Sequence, residues 1–172
     1  MHDSAGSAAN GSTSTATLAP TWDRERVAGK YLTFLLAEEQ FGIQLLKVRE
    51  IIGLMPITPV PGSPKEIRGV LNLRGKIVPV MDLRLRFGMG AGETNARNCI
   101  IVTEVAGQNG IVEMGILVDA VSEVLQVDGN EIEPAPEFGT RVDTSYLLGL
   151  AMSGPQTKVL IDIDRVLVPH SQ

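Results

Sequence analysis

The chain has 172 residues, a formal net charge of −5 and a single cysteine, Cys99. The acidic balance argues against a nucleic-acid-binding protein, which normally carries a basic surface, and one cysteine excludes a disulfide within the chain. No apolar run in the sequence approaches the length of a membrane helix, about 20 residues, and the N-terminus lacks the basic and apolar regions of a signal peptide. We therefore expect a cytoplasmic protein without direct membrane insertion.

Residues 1–21 consist mainly of Ser, Ala, Thr and Gly. A segment with so little apolar surface cannot offset the entropy that it loses on ordering. We predict a disordered N-terminal tail over residues 1–28 and a folded region over residues 29–168. Aromatic residues make up only 4% of the chain, so Val, Ile and Leu must fill the core, and β-branched residues favour strands.

Short apolar runs separated by turn residues follow the tail. KYLTFLLA and QFGIQLL predict two strands joined by a tight turn at Glu38-Glu39. KVREIIGLMPITPV continues with strand character after one helical turn at Lys47–Glu50. PVPGSPKEI, which is rich in proline, predicts a loop that leads into the next strand pair.

IRGVLNLRGKIVPVMDL predicts a β-hairpin whose turn is Arg74-Gly75. Gly75 can adopt a positive φ, as a type II or a bulged turn requires, which leaves Arg74 at the tip in solvent. MDLRLRFG predicts a short helix capped by Asp82 and ended by Gly88. GMGAG, which follows, lacks the spacing of a dinucleotide-binding loop and predicts a linker.

The second half of the chain repeats the plan of the first. Corresponding positions recur at constant spacings: Gly42-Ile43 and Gly115-Ile116, Val48-x-Glu50 and Val121-x-Glu123, Gly69 and Gly149, Asp82 and Asp162. A sheet of four or five short strands exposes its edges unless it closes. We predict an all-β fold of two pseudo-symmetric small barrels with short helices. The approximate subdomains are residues 29–90 and 97–168, with exchange of terminal elements left open, and the groove between them is the expected binding site.

The sequence offers no credible catalytic set. His2 and His170 lie at the two ends of the chain, and no Cys/His cluster has metal-ligand spacing. Asp162 and Asp164 could be metal carboxylates, but Asp162 repeats Asp82 and fits a helix cap better. We therefore predict a binding protein that is not an enzyme and has no cofactor or metal. The alternative is a small ligand-binding protein or hydrolase that uses these aspartates in the inter-barrel groove.

Several blocks of the sequence together resemble the CheW family of bacterial chemotaxis adaptors. They are FGIQLLKVREII, TPVPGSPKEIRGVLNLRGKIVPVMDLRLRFG, GILVDAVSEVL, EPAPEF and YLLGL, and the resemblance extends from Tyr31 to Val168. It implies two SH3-like five-stranded barrels that face each other across a hydrophobic interface. It also implies a non-enzymatic adaptor that couples transmembrane chemoreceptors to a CheA-type histidine kinase and scaffolds the receptor array at the membrane.

The resemblance implies two partners. One is the regulatory domain of the kinase, which shares the fold and docks barrel to barrel. The other is the cytoplasmic tip of a methyl-accepting chemoreceptor, which binds near the interdomain groove. An adaptor of another chemosensory pathway, such as pilus motility, is an alternative that the site residues do not separate.

The resemblance further implies a set of partner-binding residues. Arg74 matches an arginine implicated in coupling to receptor and kinase, and Val48 and Glu50 match a receptor-binding segment. The full set is Val48, Glu50, Gly69, which opens the hairpin, Arg74, and the groove-lining aliphatics Val118 and Val121.

Three of these residues have a structural alternative. Arg74 could be a solvated turn residue, Val48 a core residue and Glu50 a surface charge on a helical turn. Glu123 repeats Glu50 in the second half, and this symmetry points to a structural reason, such as capping, that both glutamates share.

Overall fold

The structure is a computed structural model that describes residues 22–135, 144–152 and 154–167. The strands are β1 (Gly29–Leu36), β2 (Glu39–Gln44), β3 (Val48–Gly53), β4 (Ile67–Leu73), β5 (Lys76–Asp82), β6 (Cys99–Gly107), β7 (Gly110–Val118), β8 (Ala120–Val127), β9 (Ile132–Glu133), β10 (Leu147–Ala151) and β11 (Lys158–Ile161). The helices are α1 (Arg24–Val27), α2 (Leu83–Arg86), α3 (Ile163–Val166) and the 3-10 helices Leu45–Lys47, Gly129–Glu131 and Thr144–Tyr146. None of the described helices has the length and apolar character needed to cross a membrane.

The strands form two sheets, and each sheet draws on both halves of the chain. The six-stranded sheet has the order β8-β1-β2-β11-β10-β9, and the five-stranded sheet has the order β3-β6-β7-β5-β4. The first two strands of each half therefore pair with the later strands of the other half. The prediction of an all-β chain with short helices is confirmed, while its division at residues 29–90 and 97–168 stays a prediction.

The two sheets match the internal repeat of the sequence. β2 and β11 run parallel with Gly42 opposite Leu160, and β7 and β5 run parallel with Gly115 opposite Val80. Gly42 and Gly115 are repeat partners, so the same pairing occurs once in each sheet. The exchange of strands between the halves is therefore reciprocal.

The central strands bury both of their faces. Along β1, the Tyr31 side chain joins an apolar cluster on one face of the six-stranded sheet, whereas Phe34 and Leu36 join the cluster between the two sheets. A third cluster, around Leu71 and Val80, belongs to the five-stranded sheet. Because successive side chains of a strand point to opposite faces, burial on both faces explains the continuous apolar runs of the sequence.

In both sheets, the chain that follows one edge strand pairs with a strand at the opposite edge. Beyond edge strand β3 the chain reaches Thr58, which pairs with Val70 of β4 at the opposite edge of the five-stranded sheet. In the six-stranded sheet, β9 follows edge strand β8 along the chain and pairs with β10 at the far edge. Bringing the edges together reduces the number of unpaired backbone groups that a small sheet exposes.

A glycine lets this closing segment cross each hairpin. Gly69 has a φ of 141°, and a Cβ atom there would lie 2.1 Å from the Thr58 carbonyl oxygen. Gly149 has a φ of 155°, and its Cβ would lie 2.9 Å from the Glu133 carbonyl oxygen. A side chain would collide with backbone at both positions, so only glycine fits.

The two aspartates at the ends of β5 and β11 cap the helices that follow. The Asp82 carboxylate accepts the Arg84 N–H at 3.0 Å, and the Asp162 carboxylate accepts the Asp164 N–H at 3.1 Å. Gly88 follows α2 with a φ of 75°, as expected of a C-terminal glycine. The sequence predictions that Asp82 and Asp162 are caps and that Gly88 ends the helix are confirmed.

Helix α1 and the residues beside it lie within the range predicted for the tail. The Trp22 indole N–H donates to the Leu148 carbonyl at 2.5 Å, and the Arg24 guanidinium donates to the Ile132 carbonyl at 3.0 Å. The buried Tyr31 hydroxyl donates to the Val27 carbonyl at 2.5 Å. These contacts attach residues 22–28 to the six-stranded sheet, and the prediction of a disordered tail over residues 1–28 stays a prediction. The prediction for residues 1–21 lies outside the described residues.

Candidate functional site

The turn between β4 and β5 consists of two residues, Arg74 and Gly75. Their φ angles are 51° and 84°, and Leu73 pairs with Lys76 on either side of them. Positive φ at both loop positions is the pattern of a type I′ turn, whose twist suits a two-residue hairpin. The type II or bulged turn expected from the sequence is therefore wrong. The Asn72 side-chain oxygen supports the turn by accepting the Gly75 N–H at 2.9 Å.

The Arg74 side chain is held at the surface by an ion pair with Glu50. Arg74 Nη2 lies 2.5 Å from Glu50 Oε1 and 2.8 Å from Oε2. The Arg74 side chain is 70% exposed and that of Glu50 is 29% exposed. β3 and β4 are opposite edges of their sheet, so this pair joins edge strand β3 to the turn that follows edge strand β4. Two residues of the predicted site are thus in direct contact.

Arg49 precedes Glu50 in the chain and Lys76 follows the Arg74-Gly75 turn, and both form ion pairs of their own. Arg49 Nε is 3.2 Å from a Glu104 carboxylate oxygen and 3.7 Å from a Glu113 oxygen, and Lys76 Nζ is 3.3 Å from the other Glu113 oxygen. The sequence indicated no role for Arg49, Lys76, Glu104 or Glu113, because their contacts join residues of separate strands.

The three predicted valines lie along the cluster between the sheets. Val48 and Val121 are partly buried and pack against it, and they occupy equivalent places opposite Thr103 and Phe34. Val118 belongs to the cluster itself with 1% of its surface exposed. The structure thus gives all three a packing role, and their part in partner binding stays a prediction.

Gly69, the remaining predicted residue, is buried under the crossing segment at Thr58. That position explains the glycine without any partner, so its role in partner binding also stays a prediction. The structure therefore separates the predicted set into an exposed pair, Glu50 and Arg74, and four residues that shape the fold.

The aspartates considered for catalysis are all engaged in structural contacts. Asp82 and Asp162 cap their helices, and Asp164 lies 2.7 Å from Lys47 Nζ. Burial raises the pKa of Asp82, an effect that the nearby Arg68 guanidinium and the capping N–H bonds oppose. Within the described ranges, no group of three or more His, Cys, Asp or Glu side chains is arranged to hold a metal ion.

Comparison with known proteins finds one family. A family model described as the CheW-like domain matches residues 30–169. The chain is 41% identical to the chemotaxis protein CheW of Klebsiella aerogenes over 143 residues, which cover 83% of this chain and 84% of the relative. It is 35% identical to the chemotaxis protein CheW of Rhizobium meliloti, with 78% of this chain and 84% of the relative covered.

A solved structure shares the fold. The scaffolding protein TtCheW from Thermoanaerobacter tengcongensis superposes with a TM-score of 0.75 at 36% sequence identity. The match covers 85% of this chain and 92% of TtCheW, so it extends over both sheets.

Proposed function

The chain belongs to the family of CheW-like domains, and from that premise we propose that it couples transmembrane chemoreceptors to a CheA-type histidine kinase. Proteins of this family are chemotaxis adaptors without enzymatic activity. The regulatory domain of the kinase and the cytoplasmic tip of a methyl-accepting receptor are its two partners. The protein works in the cytoplasm, where membrane-associated receptor arrays recruit it and it scaffolds them.

The single observation that carries the coupling role is the Glu50–Arg74 pair at the hairpin tip. Both contacts of the guanidinium with Glu50 use Nη2, and among the described residues no protein acceptor receives the N–H groups of Nε and Nη1. These donors can bind a carboxylate or backbone carbonyls of a partner, a task for which the planar guanidinium is well suited. Glu50 holds the side chain in place beforehand, which reduces the side-chain entropy lost on binding.

The energetics of the pair fit a binding role better than a stabilising one. An ion pair this exposed contributes about 0–1 kcal/mol to folding. Arg74 also adopts a left-handed backbone conformation, which costs a non-glycine residue about 1–2 kcal/mol. A residue that strains its turn and adds little stability is better explained by an interaction with a partner.

Kinase activation in a reconstituted system tests this function. The wild-type protein should increase autophosphorylation of a CheA-type kinase in the presence of receptor cytoplasmic fragments. Arg74→Ala should lower that activation at least about tenfold, because interface arginines are frequent binding hot spots, while the melting temperature stays within about 2 °C of the wild type.

Arg165 provides a matched control for this experiment. Its side chain is 67% exposed and pairs with Asp162, which is 28% exposed, so it resembles Arg74 in exposure and in partner. Arg165→Ala should leave activation unchanged. Equal activation by wild type and by a folded Arg74→Ala variant would remove the hairpin tip from the mechanism, and absence of activation by the wild type would overturn the coupling function.

A further inference from the structure

The described chain passes from one sheet to the other at two points. The first crossing is the 3-10 helix Leu45–Lys47, between β2 and β3, and the second is Asp119, between β7 and β8. Each crossing carries a charged residue that is bound by a helix from elsewhere in the chain. We call the two sets of contacts the Asp119 clasp and the Lys47 clasp.

The Asp119 clasp joins three segments. Arg84 of α2, which follows the five-stranded sheet, donates from Nε to Asp119 Oδ1 at 2.8 Å and from Nη2 to Oδ2 at 2.6 Å. The Ala37 N–H, in the β1–β2 turn of the six-stranded sheet, donates to the same Oδ2 at 2.8 Å. Burial opposes ionisation of Asp119, yet the bonds from Arg84 and Ala37 leave its pKa below the ordinary value. The carboxylate is therefore charged and fully engaged at neutral pH.

The Lys47 clasp has the same layout on the other side of the core. Asp164 of α3, which follows the six-stranded sheet, accepts Lys47 Nζ at 2.7 Å through Oδ2. Its Oδ1 accepts the Ala106 N–H, in β6 of the five-stranded sheet, at 3.1 Å. The Lys47 side chain is 24% exposed and that of Asp164 is 32% exposed, so this clasp is also partly shielded from solvent.

The two clasps correspond through their helix residues, which carry opposite charges. Arg84 and Asp164 each lie two residues after a capping aspartate, so they hold the same place in the two halves. In one half the helix supplies the cation, and in the other it supplies the anion. A helix thus binds the crossing in both halves, although the residues that make the contact differ.

We propose that the two clasps set the orientation of the two sheets and, resting on the proposed function, the relative placement of the predicted partner-binding segments Val48–Glu50 and Val118–Val121. Lys47 immediately precedes the first segment, and Asp119 lies within the second. The apolar cluster between the sheets supplies the attraction, but hydrophobic burial is non-directional. Bonds between charged groups have defined geometry, so the clasps can select one orientation. Asp119 and Asp164 are therefore positioning residues.

Residual dipolar couplings measured by NMR test the orientation directly. Both sheets of the wild-type protein should fit one alignment tensor. In the double variant Asp119→Asn/Asp164→Asn the two sheets should require different tensors, while the couplings within each sheet still fit its own coordinates. Asp162→Asn is the matched control, because asparagine retains the helix cap and the residue lies two positions from Asp164. In this variant, both sheets should still fit one alignment tensor. A single shared tensor in the folded double variant would overturn the proposal.

The same variants test the consequence for partners. In the single variant Asp164→Asn, affinity for the kinase regulatory domain alone and for the receptor fragment alone should change less than about twofold, because Asp164 lies outside both segments. Receptor-dependent activation should fall at least about fivefold in the double variant, within the range of coupling between sites, and Lys47→Asp/Asp164→Lys should recover part of the loss caused by Asp164→Asn. Different tensors with unchanged activation would overturn the link to partner placement. Failure of the wild type to activate would overturn the coupling function itself, while the couplings would still decide the orientation.

Discussion

The two halves of the molecule contain the same hairpin with different tips. Gly69 and Gly149 admit a crossing segment in both. In the first half, the tip is a two-residue turn whose Arg74 reaches Glu50; in the second half, a longer connection joins β10 to β11. Glu123, the repeat partner of Glu50, forms no ion pair among the described residues. Features that both halves share therefore belong to the architecture, and features found in one half are candidates for function.

This comparison bears on the structural alternative that the repeat raised for Glu50. A structural reason shared by both glutamates would give them similar contacts, but only Glu50 binds an arginine. Val48 and Val121, by contrast, pack against the same apolar cluster from equivalent positions. The repeat thus acts as an internal control that separates the exposed pair from the valines.

The largest effect is expected at the shared glycines. Gly69→Ala should destabilise the protein by about 3 kcal/mol or more, because its Cβ would overlap the Thr58 carbonyl and the backbone must move. Gly149→Ala should cost somewhat less, since its nearest backbone atom is farther away. Urea unfolding measures both. Gly53→Ala is the control, because open space surrounds that position, and comparable losses at all three sites would contradict the crossing argument.

The two helix caps should have similar, smaller effects. Asp82→Ala and Asp162→Ala each remove the acceptor for the first N–H groups of a helix, at a cost of about 1 kcal/mol. Chemical denaturation of the two single variants and of their combination measures this. A loss of stability in only one of the two single variants would show that the two caps contribute unequally, although their geometry is the same.

Asp82 should also have a distinctive pH dependence. Burial raises its pKa in the folded state, so the folded protein binds this proton more tightly than the unfolded chain does. The resulting stability is fully present below the ordinary carboxyl pKa, about 4, and is lost as the pH rises through the raised value. Asp82→Asn keeps the helix cap. Because asparagine does not titrate, the variant does not lose stability in this way as the pH rises. Its stability relative to the wild type should therefore increase from acid to neutral pH, as urea unfolding at a series of pH values would show; a decrease would contradict the raised pKa.

A modest gain is expected at the β1–β2 turn. Ala37 and Glu38 have φ angles of 50° and 70°, a left-handed conformation that glycine adopts without strain. Glu38→Gly should stabilise the protein by about 0.5 kcal/mol, the relief of strain being partly offset by the greater freedom of the unfolded chain. Gln108→Gly, in the corresponding β6–β7 turn, should give no gain because its φ is not positive. Thermal unfolding of the two variants compares them.

The smallest effect on stability is expected where the effect on function is largest. Glu50→Gln and Arg74→Ala should each change the unfolding free energy by less than about 0.5 kcal/mol, since exposed ion pairs contribute little. Glu123→Gln should be equally neutral in stability and should also leave kinase activation unchanged. A clear loss of activation with Glu123→Gln would remove the functional distinction between the halves.

Local features of the fold could be predicted from the sequence. The hairpin around Arg74, the caps at Asp82 and Asp162 and the end of α2 at Gly88 depend on residues close together in the chain. The internal repeat was visible for the same reason, because it preserves residue types at constant spacing. The turn type was missed because it depends on the φ angle of Arg74, and that residue type rarely adopts the left-handed region.

Contacts between distant segments could not be predicted. The order of strands in a sheet depends on which edges meet, and short apolar runs do not encode their partners. The Glu50–Arg74 pair and the Lys47–Asp164 pair each join residues from separate elements. Trp22 lies next to a low-complexity stretch, and its bond to Leu148 joins it to a residue far away in the chain.

The reciprocal exchange of strands has a consequence for the order in which the protein can fold during synthesis. β1 and β2 are synthesised first and pair with each other. Their other partners in the sheet are β8 and β11, which are synthesised later. The six-stranded sheet therefore cannot be completed until Ile161, the last residue of β11, has left the ribosome. Until then, β1 and β2 have unpaired edges, and partly folded chains with unpaired strand edges are prone to aggregation. The five-stranded sheet can assemble earlier, once β7 has emerged. β1 and β2 can then pack against it through the apolar cluster between the two sheets.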